Sequence, residues 1–135
     1  MGNNWKITDT LTKVFAEEAP DGQGSIRLST LHRETVSCVI AYFGAADWGR
    51  YWKVSVKAPE KIETRLRRIE LVPSAYPCHK EQDDNYLRIV PGMYPDLLRD
   101  LDTEDDGADK KYLTKEVPGQ WRSLWLDVTV DAELA

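Results

Sequence analysis

The sequence has 135 residues with 18 basic and 23 acidic side chains, which gives a net charge of −5. This length is typical of one compact domain, and a hydrophobic fraction of 41% is enough to form one core. The acidic balance argues against a dedicated nucleic-acid binder, which needs basic residues to neutralise phosphates. The longest apolar runs fall far short of the ~20 residues that cross a bilayer. We therefore expect a single domain over residues 1–135, with neither nucleic acid nor a membrane as its partner.

The N-terminus and the cysteines indicate a cytoplasmic location. No basic start is followed by an apolar stretch, so the sequence lacks the pattern of a signal peptide. Cys38 and Cys78 lie far apart in the sequence, and two such thiols without an export signal are predicted to stay reduced.

Alternation of apolar and polar residues with a period of two predicts strands in the first half of the chain. Trp5 and Ile7 begin a first strand, and Ile26 with Leu28 indicates a short second one. The segment 35–43 is apolar on both faces, which is typical of a central strand covered on two sides. The segment 52–56 alternates cleanly and is predicted to be half exposed.

The second half of the chain continues the pattern with two interruptions. Residues 62–72 predict a strand whose apolar phase slips, which favours a bulge near Arg67 and Arg68. The acidic segment 100–111 predicts a solvated loop. Residues 121–130 alternate again and predict the last strand, after a turn at Pro118 and Gly119. Together these elements predict an all-β fold, an antiparallel β-sandwich.

The end of the chain lies soon after this last strand. A sandwich commonly continues with a partner strand, so we expect a missing closing strand and an unpaired edge there. Such an edge could associate with a second copy of the chain.

A segment from residue 73 to residue 101 departs from the strand pattern. Its prolines at positions 73, 77, 91 and 95 fix φ and remove backbone donors. It therefore predicts a long proline- and aromatic-rich loop insertion, with one short helical turn over residues 94–98. Aromatic side chains on a stiff backbone lose little entropy on binding, which favours a docking surface. The candidate docking residues are Tyr86, Met93, Tyr94 and Leu97. In the alternative interpretation, the loop folds back and covers its own sandwich.

Four motifs in order carry a family resemblance. They are Ile-Glu-Leu-Val-Pro at 69–73, Asp-Asn-Tyr-Leu-Arg at 84–88, Pro-Gly-Met-Tyr-Pro-Asp-Leu-Leu at 91–98 and Pro-Gly-Gln-Trp-Arg-Ser-Leu-Trp at 118–125. Over roughly residues 25–130 the chain resembles the N-terminal β-sandwich of bacterial proteins related to glycoside hydrolase family 123. In that family the catalytic Asp-Glu pair lies in a following barrel domain. A barrel needs ~200 or more residues, so the resemblance assigns no catalytic residue to this chain.

The resemblance implies a non-catalytic accessory domain, a fragment of a longer protein, that packs against the catalytic domain of the same parent. An independent carbohydrate-binding module is the alternative, because exposed aromatic rings beside polar groups bind sugars. The candidate carbohydrate contacts are Trp48, Tyr51, Trp52, Trp121 and Trp125. Trp121 and Trp125 would lie about 13 Å apart on one strand face.

The residue pattern nominates no catalytic site, metal site or cofactor. His79 directly follows Cys78, and neighbours in an extended chain point to opposite sides. The ligand-type residues Cys78, His79, Asp83 and Asp84 have no recognised metal spacing. A small metal-dependent enzyme is therefore the weakest of the three interpretations, and we expect the chain alone not to be an enzyme.

Overall fold

The computed structural model describes residues 5–45, 50–77, 87–105 and 110–131. Within these ranges the chain is built from β-strands in two antiparallel sheets, which confirms the all-β prediction. The strands are β1 (Trp5–Thr8), β2 (Thr35–Phe43), β3 (Tyr51–Ser55), β4 (Ile62–Ser74), β5 (Gly92–Asp100), β6 (Asp102–Asp105), β7 (Lys110–Lys115) and β8 (Trp121–Val130).

The larger sheet has five strands in the order β1-β2-β8-β4-β5, and the smaller sheet has three in the order β3-β7-β6. β2 lies between β1 and β8, as its two apolar faces predicted. β8 pairs with β2 on one side and with β4 on the other. The last strand is therefore central, and the unpaired edge that we expected beside it does not exist. The edges of the larger sheet are β1 and β5.

The predicted loop insertion is wrong over its second half, because residues 92–100 form β5. Neither proline in this hairpin disrupts a ladder. Pro95 lies on the edge strand beside the bulge, a position where a missing N–H is tolerated, and Pro73 lies in β4 beyond the last residue paired with β8. The predicted helical turn over residues 94–98 is wrong for the same reason.

The acidic segment 100–111 is also more regular than predicted. β6 pairs with β7 through registers such as Thr103 with Tyr112, so both ends of this segment are strand. In contrast, the predicted strand at Ile26 and Leu28 is absent, and both side chains lie exposed in an irregular segment.

A bulge in the larger sheet occurs on β5 and not at Arg67 and Arg68. The β4–β5 register shifts between Glu70 and Leu71, which leaves Asp96 as the extra residue on β5. The phase slip that suggested a bulge in β4 has another cause. Leu66 packs in the core between the sheets while Ile69 packs on the opposite face, because β4 is covered on both sides.

Two apolar clusters hold the fold together. The first lies between the sheets and contains Tyr42, Leu66 and Leu124 from the larger sheet, with Tyr112 from the smaller one. The second lies on the face of the larger sheet that points away from the smaller sheet, which we call the outer face. There the segment 12–15 covers Val39 and Ala41 with Val14. Among the described residues, no helix has the length and apolar character to cross a membrane.

Candidate functional site

A cleft of about 90 Å³ opens on the outer face, beside the segment that covers it. Its apolar lining includes Val39, Ile69 and Trp125, which come from three adjacent strands. Lys13 and Asp96 form an ion pair at its rim, with Nζ 3.0 Å from Oδ1. The larger sheet thus forms the floor of the cleft. The Lys13–Asp96 ion pair links the covering segment to β5 at the rim.

A polar network fixes the indole ring of Trp125. Asp127 Oδ1 accepts hydrogen bonds from Trp125 Nε1 at 2.7 Å and from Ser37 Oγ at 2.5 Å. Asp127 Oδ2 accepts one from Arg67 Nη2 at 2.7 Å. Burial of the carboxyl acts to raise the pKa of Asp127, but these hydrogen bonds outweigh it and hold the pKa below the ordinary 3.8. The carboxylate therefore stays ionised at neutral pH and orients both the indole and the guanidinium.

This network predicts a pH-dependent loss of stability in Asp127→Asn. A lowered folded-state pKa contributes stability that is present above the unfolded pKa and is lost as pH falls through the folded pKa. We expect the variant to lose about 1–3 kcal/mol of unfolding free energy at pH 7, because the donors lose a charged acceptor. Near pH 3 the difference should shrink. Urea unfolding at both pH values measures it, with the exposed Asp21→Asn as control. A difference that is the same at pH 3 and pH 7 would contradict the assignment.

A second cleft, of about 300 Å³, adjoins the first and shares Lys13, Pro95 and Asp96 with it. Arg88 lies with its guanidinium carbon 3.5 Å from the centroid of the Phe15 ring and forms ion pairs with Glu17 and Glu18. Tyr94 packs its ring edge-on against Phe15, with centroids 5.9 Å apart. These contacts fasten the chain just before β5 to the segment 15–18.

The candidate docking residues differ in their exposure. Met93 and Leu97 are 47% and 41% exposed, whereas Tyr94 is half-buried and its hydroxyl donates to the Val90 carbonyl. Tyr86 lies outside the described residues. Two of the four residues are thus available at the surface, and a third supports the strand that carries them.

The candidate carbohydrate contacts are not gathered in one place. Trp52 packs against Tyr42 in the core, with ring centroids 5.1 Å apart, while Tyr51 on the opposite side of β3 is 74% exposed. Trp121 lies against Phe43, and Trp125 lines the first cleft. Trp48 lies outside the described residues, as do the ligand-type residues 78–84. The described residues contain no cluster of potential metal ligands.

Three charged residues of the larger sheet were not among the candidate site residues predicted from the sequence. Asp127 organises the outer face, and Arg68 and Arg122 lie on the inner face, which points toward the smaller sheet. The alternating sequence pattern of a strand does not distinguish these three positions from other positions in the same strand. The pairing of β8 with β2 and β4 brings Asp127 to Ser37 and Arg67. Arg68 and Arg122 instead bond to Glu70 and Gln120, each two residues away along the chain.

The described residues thus form a domain of two antiparallel sheets with two adjoining clefts on its outer face. Comparison of the sequence with models of known protein families gives no match, and comparison with curated proteins gives none either.

Proposed function

We propose that this chain is a non-catalytic accessory domain that docks, through the exposed apolar side chains of residues 87–98, to the catalytic domain of a glycoside-hydrolase-like parent protein. One observation carries the proposal. Six of the thirteen large apolar side chains that the described residues expose fall within these twelve positions. We call these six the apolar strip: Leu87, Ile89, Val90, Met93, Leu97 and Leu98.

The carboxylates around the strip are paired within this domain, which favours an apolar partner surface there. On β5, Asp96 pairs with Lys13 and Asp100 pairs with Arg65, in both cases within this domain. Arg99 lies 4.0 Å from Glu70. Because Asp96 and Asp100 are matched within this domain, β5 offers a second domain its apolar side chains and the positive charge of Arg99. Leu97 lies opposite Glu70 and Leu98 opposite Ile69, so the two side chains flank β5 on its two faces. Exposed apolar groups gathered at one sheet edge favour an interaction site there.

Substitutions in the strip should separate docking from folding. We expect Leu97→Lys to change the unfolding free energy by no more than about 0.5 kcal/mol, because an edge strand tolerates lysine and the side chain is already exposed. Leu11→Lys, at an exposed position outside the strip, is the matched control. Urea unfolding of both variants measures the effect.

Hydrogen–deuterium exchange tests the docking itself. The reading frame beyond Ala135 is established first, and the longer protein is compared with the present chain. Amides of residues 87–98 should exchange more slowly in the longer protein, and Leu97→Lys but not Leu11→Lys should remove that protection. Equal exchange in the two proteins, or a reading frame without a second domain, would contradict the proposal.

A carbohydrate-binding module is the second candidate, and the first cleft favours it. The Trp125 ring lies there beside a rim of Thr10, Thr12 and the Lys13–Asp96 pair, which combines an aromatic surface with hydrogen-bonding groups. Affinity electrophoresis in soluble polysaccharides tests this candidate. Retardation that Trp125→Ala abolishes and Trp5→Ala preserves would support it, and no retardation in any polysaccharide would leave the docking proposal in place.

A further inference from the structure

Three arginines share the inner face of the larger sheet on neighbouring strands, at the margin of the core. Residues that lie directly opposite in antiparallel strands share one face. Arg68 lies opposite Arg99 across β4 and β5, and on its other side it lies opposite Leu124 of β8. Arg122 lies two residues from Leu124 and opposite Tyr42, so it shares this face. We call Arg68, Arg99 and Arg122 the arginine cluster.

The arginine cluster carries more positive charge than its neighbours balance. Among the described residues, Glu70 is the carboxylate that contacts it, forming an ion pair with Arg68 and lying 4.0 Å from Arg99. Arg122 donates from Nη2 to the neutral Oε1 of Gln120 at 2.8 Å. Three guanidinium groups and one carboxylate leave a local excess of two positive charges. Like charges directly opposite each other, such as Arg68 and Arg99, destabilise a sheet. This excess occurs in a chain whose net charge is −5.

Two of these guanidinium groups also have donors that lack an acceptor. The Nε atoms of Arg68 and Arg122 are buried and have no hydrogen-bond partner. Buried polar groups without partners are rare in native proteins, and an ion or a water molecule commonly accounts for them. An oxyanion is an acceptor that suits N–H donors of this kind.

Tyr42 places the arginine cluster beside the apolar core. Burial raises the pKa of Tyr42, while the positive charges of Arg68 and Arg122 act in the opposite direction. Both arginines are therefore close enough to Tyr42 to act on it, at a margin where the Arg68 side chain is 29% exposed. The apolar core on one side of Arg68 and Arg122 strengthens charge-assisted hydrogen bonds, while the Arg68 side chain remains partly open to solvent.

We propose that Arg68 and Arg122 bind an oxyanion of the carboxylate or phosphate type. The forked guanidinium presents parallel N–H donors that match two oxygens of such a group, which a lysine ammonium cannot do. Arg99 adds long-range attraction from its more exposed position. Leu97 of the apolar strip lies opposite Glu70, so the two surfaces adjoin. The test below uses the present chain alone, so its outcome does not depend on the docking proposal.

Thermal unfolding of the intact chain tests the site with two probes. Potassium phosphate and potassium acetate are each titrated against potassium chloride at constant ionic strength and pH 7. A ligand that binds the folded state raises Tm in a saturable way. A rise with phosphate alone identifies a phosphate-type site, and a rise with acetate alone identifies a carboxylate-type site. No saturable rise with either probe would overturn the proposal.

Variants that keep the positive charge locate the site. Arg122→Lys should raise the half-saturating concentration by about tenfold or more, because it removes the fork and Nε but not the charge. Arg68→Lys is the second variant should the first fail to fold, and Arg27→Lys in an exposed segment is the control. Arginine Nε–H resonances of Arg68 and Arg122 should shift with the same half-saturation. An unchanged titration in the Arg122 and Arg68 variants, or an equal loss in Arg27→Lys, would overturn the assignment.

Discussion

Leu66→Ala is expected to destabilise the domain by about 2–5 kcal/mol. Leu66 is 2% exposed and lies in the cluster between the two sheets, opposite Leu126 of β8. Truncation removes buried methyl groups and leaves a cavity that rigid strands on both sides cannot close. Because small domains have total stabilities of ~5–15 kcal/mol, this single change removes a large share of the total. Urea unfolding monitored by tryptophan fluorescence measures the loss.

Leu11→Ala makes the same chemical change at a position that is 87% exposed. We expect its unfolding free energy to stay within about 0.5 kcal/mol of the parent sequence. The comparison isolates burial from side-chain identity. Equal effects at the two positions would show that the cluster between the sheets does not carry the stability of the fold.

Periodicity in the sequence predicts the long strands of the core well. The alternation in residues 35–43 and 121–130 gave strands with the bounds that the structure has, because both strands are long and their side chains follow the pleat without interruption. In β4 the same rule detected the strand but misread its phase slip as a bulge. Periodicity reports which faces are apolar, and a strand covered on both sides is apolar in either phase.

β5 shows where local reasoning fails. Two prolines and a glycine within residues 91–95 are ordinary signs of a loop, and they outweighed the apolar residues that follow. A proline is compatible with a strand that lies at a sheet edge, but sheet order is a property of the whole fold. β5 is an edge because it pairs with β4 alone, while β8 occupies the other side of β4.

The sequence predicted some of the candidate functional residues and missed others, because only some of them depend on local features of the chain. Met93 and Leu97 were selected for their apolar character in a stiff segment, and both are exposed. Arg68 and Arg122 are 54 positions apart in sequence (122 minus 68) and become neighbours through strand pairing alone. A cluster formed by distant residues leaves no signal at fixed spacing, so sequence inspection did not find it.

Gly44 occupies the corner that joins β2 to the turn before β8, and it has no room for a side chain. A Cβ at this position would lie 2.0 Å from the carbonyl oxygen of Val117 and 2.6 Å from its carbonyl carbon. Both are backbone atoms, so a rotamer change cannot relieve the clash. Gly44 also donates to the Gln120 carbonyl at 3.0 Å and accepts from the Gly119 N–H at 2.8 Å. Its backbone is therefore held on both sides while the clash pushes it away.

Gly44→Ala is accordingly expected to cost about 3 kcal/mol or more, at the upper end of the range for overpacking. Gly24→Ala is the matched control, because a Cβ there meets no atom within 4 Å. A methyl group at Gly24 restricts the unfolded chain and should leave stability unchanged or raise it by about 0.4–1 kcal/mol. Thermal unfolding of the two variants measures the contrast. Similar Tm values would mean that Gly44 and Val117 are not in contact. The turn at Pro118 would then not set the register in which Trp121 pairs with Phe43.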